Sequence, residues 1–192
     1  GIGGNHDLVR QNWPERLGKA PREMVTGVPA YVDGSGLSIA ADAGARLVNS
    51  DRMWHYTEGI QNWDPVWPGH GIRTLSAPSP MWSDALGRRL PAPYLPGYDT
   101  MGTLRHLRTT PDIAEYDHSW LILNERIIAK EFALSGSEQN PDIPSGSKVE
   151  VVKSRLAKGV PGPVQAFVDQ GADFVVADRI EDLVQKMNAL TD

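Results

Sequence analysis

Proline and tryptophan crowd one stretch of the chain and restrict what it can form. The sequence of 192 residues contains fifteen prolines and six tryptophans, and many of them fall between residues 54 and 82. Each proline lacks the backbone N–H that helix interiors and central strands require. We therefore predict that residues 58–80 form an ordered loop, held in place by buried indole rings.

The patterns before this loop predict helices and an extended segment. Asn5 is suited to cap a short helix over residues 6–11. Small and apolar residues at helical spacing predict a second helix from about 34 to 45, with Asp33 as its cap. Residues 46–57 then have the composition of an extended strand. Helix followed by strand is typical of an α/β layer, so the fold class predicted is α/β, in its mixed α+β form.

The patterns after the loop predict further short elements. In chain order they are a hairpin over 81–90 that turns at 85–87, an irregular stretch over 91–102, an amphipathic helix from 119 to about 136, a solvent-facing linker over 135–147, a helix over about 148–158, a short strand at 175–176 and a final helix capped by Asp178.

Composition excludes several classes of function. The chain has no cysteine, which removes disulfides, thiolate metal sites and a cysteine nucleophile. Its formal net charge of -5 is opposite to the basic patch of a nucleic-acid-binding protein. No apolar run reaches the ~20 residues of a membrane span, and the start has no signal-peptide pattern. We therefore expect a cytoplasmic protein with no membrane span and no nucleic-acid partner.

Four side chains raise the question of a metal site: His106, Asp112, Asp117 and His118. Their spacing matches no compact ligand pattern, so no metal is predicted.

The chain opens on Gly1 in a glycine-rich turn that would ordinarily follow a strand. We therefore expect an internal fragment of a longer protein. The opening letters GIGGNH do not form a dinucleotide fingerprint by themselves, because His6 stands where the third glycine belongs.

Several side chains are candidates for chemistry. His55 lies at the end of a predicted strand, where α/β sheets tend to place ligand-binding residues, although a hydrogen-bonded structural histidine is an equal alternative. Arg88 and Arg89 could present a guanidinium to a carbonyl or carboxylate oxygen, with a solvated charge as the alternative for one of them. Tyr94 and Tyr98 could exchange a proton at a carbonyl, or could simply pack in their loop.

Taken in order, several segments resemble one flavoprotein family, which contains fumarate reductases, succinate dehydrogenase flavoprotein subunits and 3-ketosteroid dehydrogenases. The likeness is greatest to its actinobacterial FAD-binding dehydrogenase branch. The segments that carry the resemblance are GIGGN at 1–5, VDGSGLSIAADAGARLV at 32–48, HYT at 55–57, GRRL at 87–90 and VADRIEDL at 176–183.

The resemblance implies a discontinuous FAD-binding domain interrupted by a substrate cap. It implies that residues 1–66 are a remnant of the FAD-binding domain. Residues 67–118 would be the Trp/Pro-rich loop and hairpin that lead into the cap, and residues 119–192 a helical cap segment. It also implies that Gly1, Gly3 and Asp33 lie near the FAD.

The resemblance places His55 and Thr57 at the substrate, with Arg89 and Tyr94 as further catalytic candidates. Fumarate reductases continue this hairpin with an arginine that delivers a proton, but here Leu90-Pro91-Ala92-Pro93-Tyr94 follows. This departure disfavours fumarate reduction. It is more compatible with a steroid or other enone substrate, on which a base takes a proton, hydride passes to the flavin and a tyrosine polarises the carbonyl.

We expect the 192-residue chain by itself to retain no FAD and to be inactive. Apolar surface bared by truncation would favour a homo-oligomer. The alternative from another class is a non-catalytic binding or assembly module that uses the Trp/Pro-rich loop. A hydrolase is disfavoured because the sequence lacks a G-x-S-x-G nucleophile elbow.

Overall fold

Short helices and short antiparallel strands alternate along the chain. The computed structural model describes residues 1–52, 54–75, 77–95, 97–136, 139–140 and 146–191. The elements in chain order are α1 (His6–Gln11), α2 (Ser35–Asp42), β1 (Gly59–Gln61), β2 (Gly71–Leu75), β3 (Met81–Ser83), α3 (Thr100–Thr109), β4 (Trp120–Ile122), α4 (Glu125–Lys130), β5 (Ala133–Leu134), α5 (Lys148–Leu156), α6 (Gly162–Gln170) and α7 (Ile180–Thr191). The mixed α/β class is confirmed.

A three-stranded antiparallel sheet carries the main hydrophobic core. Its strand order is β1-β2-β5, with Ile60 opposite Ile72 and Thr74 opposite Leu134. Helices α4 and α6 cover this sheet and contribute to one buried cluster. That cluster consists of Ile72, Ile128, Phe132, Leu134, Val164 and Phe167. Phe167 is completely buried, so α6 is the element that closes the core.

The predicted hairpin at 81–90 is confirmed. Asp84 N–H donates to the Arg88 carbonyl at 2.8 Å, and Ser83 pairs with Arg89. Gly87 adopts a left-handed φ of 77° at the turn, a conformation that glycine enters without steric cost. Strand β3 of this hairpin also pairs with β4.

A buried arginine fastens the N-terminal region to α3. The side chain of Arg108 is 6% exposed and forms a 2.9 Å ion pair with Asp117. It also donates to the carbonyls of Lys19, Ala20 and Tyr116. Burial alone would raise the pKa of Asp117, but hydrogen bonds from Arg22 and the charge of Arg108 outweigh it and lower that pKa.

The strand predicted over 46–57 is wrong. Among the described residues of this segment no strand forms. Asn49 has a left-handed φ of 56°, and Arg52 N–H donates to the Asn49 carbonyl. That turn interrupts an extended run, so His55 does not lie at a strand end.

The loop predicted over 58–80 is wrong in part, because it contains β1 and β2. Between them the chain is pinned by Trp67, whose indole N–H donates to the Thr26 carbonyl at 3.3 Å and whose ring stacks on His70. Trp63 is 36% exposed. The prolines do not prevent this pairing, because each strand of a short hairpin needs only a few residues and neither β1 nor β2 contains proline.

The helix predicted from 119 to 136 is also wrong. Residues 120–122 form β4 and residues 125–130 form α4. The side chain of Asn124 accepts from Ile127 N–H at 3.0 Å and begins α4. Pairing with β3 and this cap outweigh the apolar periodicity that suggested one long helix.

Other boundaries differ in detail. The prediction of Asn5 as a cap is confirmed. The helix predicted over about 148–158 is also confirmed, as α5. The N-cap of α2 is Gly34 rather than Asp33. Residues 175–176 form no strand, α7 begins at Ile180, and the sequence patterns did not predict α3 or α6. The linker predicted over 135–147 lies mostly outside the described residues.

Replacing Phe167 with alanine tests the core. We expect Phe167→Ala to lower the free energy of unfolding by about 3–5 kcal/mol, because it leaves a cavity between α6 and the sheet. Leu156→Ala is the matched control, since Leu156 is 77% exposed on α5 and should change stability little. Urea unfolding followed by circular dichroism measures both, and equal losses in the two variants would contradict this core.

Candidate functional site

The glycine-rich turn at the start of the chain packs against residues 28–33. Gly4 N–H donates to the Val32 carbonyl at 2.9 Å, and the side chain of Asn5 donates to the Asp33 carbonyl. A Cβ on Gly3 would lie 2.9 Å from a methyl of Val28, closer than real Cβ contacts allow. The structure therefore places Gly1, Gly3 and Asp33 on two segments that contact each other.

Asp33 stays ionised in this region. Its carboxylate accepts from Ser35 N–H at 2.9 Å. Hydrogen bonds from the Ser35 backbone and side chain lower the pKa of this exposed carboxyl. Asp33 is therefore a fixed acceptor beside the first turn of α2, although it is not the helix cap.

The features around Asp33 suit the polar part of FAD. An ionised carboxylate accepts hydrogen bonds from ribose hydroxyls, and N–H groups at the start of a helix suit phosphates. Gly36 lies in the first turn of α2, and a Cβ there meets nothing within 4 Å, so this face is open. The Asp33 carboxylate and the open start of α2 are therefore compatible with the FAD that the resemblance implies.

The His55 ring packs against Trp13 at a tilt of 32°, with ring centroids 4.7 Å apart. Within the described part of the chain, His55 Nε2 and Trp13 Nε1 are both buried without a hydrogen-bond partner. Burial lowers the pKa of His55. The imidazole is therefore neutral near pH 7 and keeps hydrogen-bonding capacity that the protein does not use.

Thr57 lies beside a buried carboxylate. Its hydroxyl donates to Glu58 Oε2 at 3.2 Å, and Glu58 Oε1 accepts from Gly97 N–H at 3.2 Å. Arg73 Nη2 lies 3.6 Å from the same carboxylate, and its guanidinium lies 3.8 Å from the centroid of the Tyr56 ring. These contacts join the Thr57 segment to β2 and to the loop before α3.

Tyr94 stacks on His106, with centroids 4.6 Å apart and an interplanar angle of 13°. Burial lowers the pKa of His106, and the charges of Asp84 and Arg88 act on it in opposite directions. The Tyr94–His106 pair therefore lies within electrostatic reach of the 81–90 hairpin. The phenol is fixed in orientation by a neutral aromatic ring.

The two arginines of the hairpin have different environments. Arg88 pairs with Asp84 at 2.8 Å and with Asp112 at 3.0 Å. Arg89 is exposed, and none of the ion pairs described in the structure includes it. Arg89 is thus available for a ligand, but no described contact joins it to His55, Thr57 or Tyr94.

Sequence reasoning assigned no supporting role to the residues that hold the candidates in place, and considered His106 only as a metal ligand. These residues are Trp13, Glu58, Arg73, Gly97 and His106. The partners of Trp13 and His106 are distant in sequence or on another element, and no spacing rule connects them. Glu58 could have been suspected, since it directly follows His55-Tyr56-Thr57.

Two absences concern only the described ranges. There, no three His, Asp or Glu side chains are grouped closely enough to hold a metal ion. No described helix combines the length and apolar character needed to cross a membrane.

Comparison with known proteins identifies relatives over the full chain. A family model for an FAD binding domain matches residues 1–179. A protein of Mycolicibacterium smegmatis named "KsdD-like steroid dehydrogenase" is 59% identical over all 192 residues. Two Mycobacterium tuberculosis proteins that carry the same descriptive name are each 54% identical over the same length.

The chain covers 34% of the M. smegmatis relative and 33% of each M. tuberculosis relative. It therefore spans about a third of the length of these curated proteins. No solved structure matches the chain.

The protonation of His55 can be tested directly. We expect its imidazole to titrate below the ordinary value of 6.5 because burial disfavours the charged ring. In the unfolded chain the ring takes up a proton at about 6.5. The stabilisation that comes from keeping His55 neutral is therefore complete above 6.5 and is lost as the pH falls from there through the folded pKa.

Imidazole NMR signals followed from about pH 8 to about pH 4, the range that spans histidine titration, measure this midpoint. The chain unfolded in urea is the control. A His55 midpoint at or above that of the unfolded chain would show that the ring is not buried as described.

Proposed function

The chain belongs to the FAD binding domain family, and from this premise we propose that it is part of an FAD-dependent steroid dehydrogenase. The observation that carries the proposal is identity of 54–59% over the whole chain to proteins named as KsdD-like steroid dehydrogenases. Identity at this level, together with residues suited to FAD at the start of α2, favours the same cofactor and a related substrate class. The reaction proposed is dehydrogenation, or the reverse reduction, of a C–C bond next to a carbonyl.

We propose that Gly1, Gly3 and Asp33 hold the polar part of the cofactor. When bound, FAD supplies an acceptor or donor of hydride. The glycines allow close packing of the turn, and the ionised Asp33 offers an acceptor for a hydroxyl. We propose that side chains of this chain contribute to the remaining chemistry.

Four side chains would act on the substrate. His55 can accept the proton that leaves the carbon next to the carbonyl, because its lowered pKa leaves the ring unprotonated near pH 7. Tyr94 would donate a hydrogen bond to the carbonyl oxygen, and the exposed guanidinium of Arg89 would support the same oxygen. Thr57 would contact the substrate beside His55.

The aromatic surroundings of His55 are consistent with a flat, apolar substrate. Trp54 is 73% exposed and Tyr56 is 44% exposed, and their rings meet edge to face at 6.2 Å. These two residues flank His55 in the sequence, and an exposed aromatic pair of this kind can cover an apolar ring system. A steroid or another cyclic enone fits this description.

The alternative of a binding or assembly module has less support. Trp82 is 5% exposed, and Trp67 is committed to Thr26 and His70. The tryptophans therefore do not form one continuous exposed cluster.

Two further expectations stay predictions: the domain boundaries at residues 66 and 118, and a cytoplasmic location.

Flavin binding and activity test the proposal. We expect the protein extended to the length of its relatives to be yellow, and a 3-ketosteroid to bleach its flavin absorption without oxygen. The 192-residue chain should be colourless. The proposal would be contradicted by an extended protein that binds no flavin. It would also be contradicted if no ketosteroid bleached the oxidised flavin and no enone reoxidised the reduced flavin.

Variants of the extended protein test the side-chain roles. We expect His55→Gln and Tyr94→Phe each to lower kcat by about 10²–10⁴-fold, the usual contribution of a positioned acid or base. Tyr116→Phe is the control, because that phenol lies outside the site. If all three variants kept the activity of the parent, the assigned roles would be wrong.

Association of the chain is a further expectation. Tyr31, Ile39 and Val48 are 79%, 68% and 65% exposed, and such apolar surface promotes self-association. Sedimentation equilibrium should show a dimer or larger species of the 192-residue chain. A monomer across the accessible concentrations would contradict this expectation.

A further inference from the structure

We infer that Glu58 is a positioning residue for the proposed reaction, with a buried carboxylate that fixes both the Thr57 hydroxyl and the loop that carries Tyr94. The inference rests on the proposed function, because it concerns the arrangement of two residues assigned to the substrate. Glu58 itself is not placed in contact with substrate or cofactor.

The burial of Glu58 requires compensation. Its side chain is 1% exposed, and a buried carboxylate is costly unless it is paired and hydrogen-bonded. The compensation comes from three directions: the Thr57 hydroxyl, the Gly97 amide and the Arg73 guanidinium. Losing the carboxylate would therefore affect all three at once.

The contact with Thr57 determines which hydrogen bonds that hydroxyl can form with a substrate. A carboxylate accepts hydrogen bonds, so the single hydroxyl hydrogen of Thr57 points at Glu58. The lone pairs of Thr57 remain for other partners. Glu58 therefore makes Thr57 an acceptor toward the substrate and leaves donation to Tyr94.

The contact with Gly97 reaches the loop that carries Tyr94. Gly97 has a left-handed φ of 64°, which only glycine adopts without strain. Its N–H meets Glu58 Oε1 at 3.2 Å. Tyr94 lies earlier in the same loop and ends a turn there, with its N–H donating to the Pro91 carbonyl. One carboxylate thus links Thr57 to the Tyr94 loop.

Arg73 also contacts the Glu58 carboxylate and connects it to β2. Its guanidinium lies against Tyr56, the residue before Thr57, at 3.8 Å. Strand β2 carries Arg73 and is paired on both sides. The segment from Tyr56 to Glu58 is therefore held against the central strand of the sheet.

Hydrogen exchange in the 192-residue chain tests the link to the loop without requiring activity. In Glu58→Gln we expect the Gly97 amide to exchange about tenfold faster, because a hydrogen bond to a charged acceptor is lost. Glu131→Gln is the matched control, since Glu131 also accepts from an amide and a hydroxyl, both of Ser79. Gly97 exchange that stays at the wild-type rate in Glu58→Gln would overturn the inference.

A second variant keeps the inference testable if Glu58→Gln does not fold. Glu58→Asp keeps the negative charge beside Arg73 and withdraws the carboxylate by one methylene. It should fold and still speed exchange at Gly97. Unchanged exchange in this variant would also overturn the inference.

Kinetics of the FAD-loaded extended protein separate positioning from a purely structural role. We expect Glu58→Gln to lower kcat by about 10–100-fold with a smaller change in KM, because misplaced groups slow the reaction more than they weaken binding. Adding Thr57→Val should then lower kcat little further, because the two residues act as one unit. Normal kcat in Glu58→Gln, or losses that multiply fully, would overturn the positioning role.

The two proposals fail differently. A wild-type extended protein that binds flavin but acts on no steroid or enone would contradict the proposed function. Gly97 exchange would still decide whether Glu58 holds the loop.

Discussion

The buried guanidinium of Arg108 is the interaction on which the arrangement of the site depends. It binds three backbone carbonyls and the Asp117 carboxylate from a single position on α3. The region it holds continues back to Trp13, which packs against His55, while α3 itself carries His106, which stacks on Tyr94. Arginine suits this place because its planar group offers several donors in fixed directions. Two ring stacks that are distant in sequence therefore share one anchor.

A second constraint is the way each candidate side chain is oriented by a neighbour. His55 has Trp13, Thr57 has Glu58, and Tyr94 has His106. Neutral rings orient two of them and a buried carboxylate orients the third. Such support is what keeps reacting groups within the small tolerances that catalysis requires. Arg89 has no described support of this kind, which suits a group that orders when a ligand arrives.

The short structural elements around the candidate site could be predicted from the sequence because their signals are local. The turn of GIGGN, the Asn5 cap and the hairpin at Gly87 each depend on residues a few positions apart. The same local signals gave wrong predictions where a cap, a turn or pairing with a distant strand interrupts the pattern. Residues 119–136 have helical periodicity, yet pairing of Trp120 with Ser83 and the cap at Asn124 divide them. Residues 46–57 have strand composition, yet Asn49 turns the chain.

The sequence by itself determined the class of fold, the exclusion of cysteine chemistry and the family, because composition and ordered motifs are properties of the chain alone. It also named His55, Thr57, Arg89 and Tyr94 as candidates. Only the tertiary structure decided that His55 is half-buried against Trp13, that Glu58 is enclosed and that Arg88, not Arg89, is held by acidic partners. Burial and partnership depend on contacts between distant segments, and such contacts follow no sequence period.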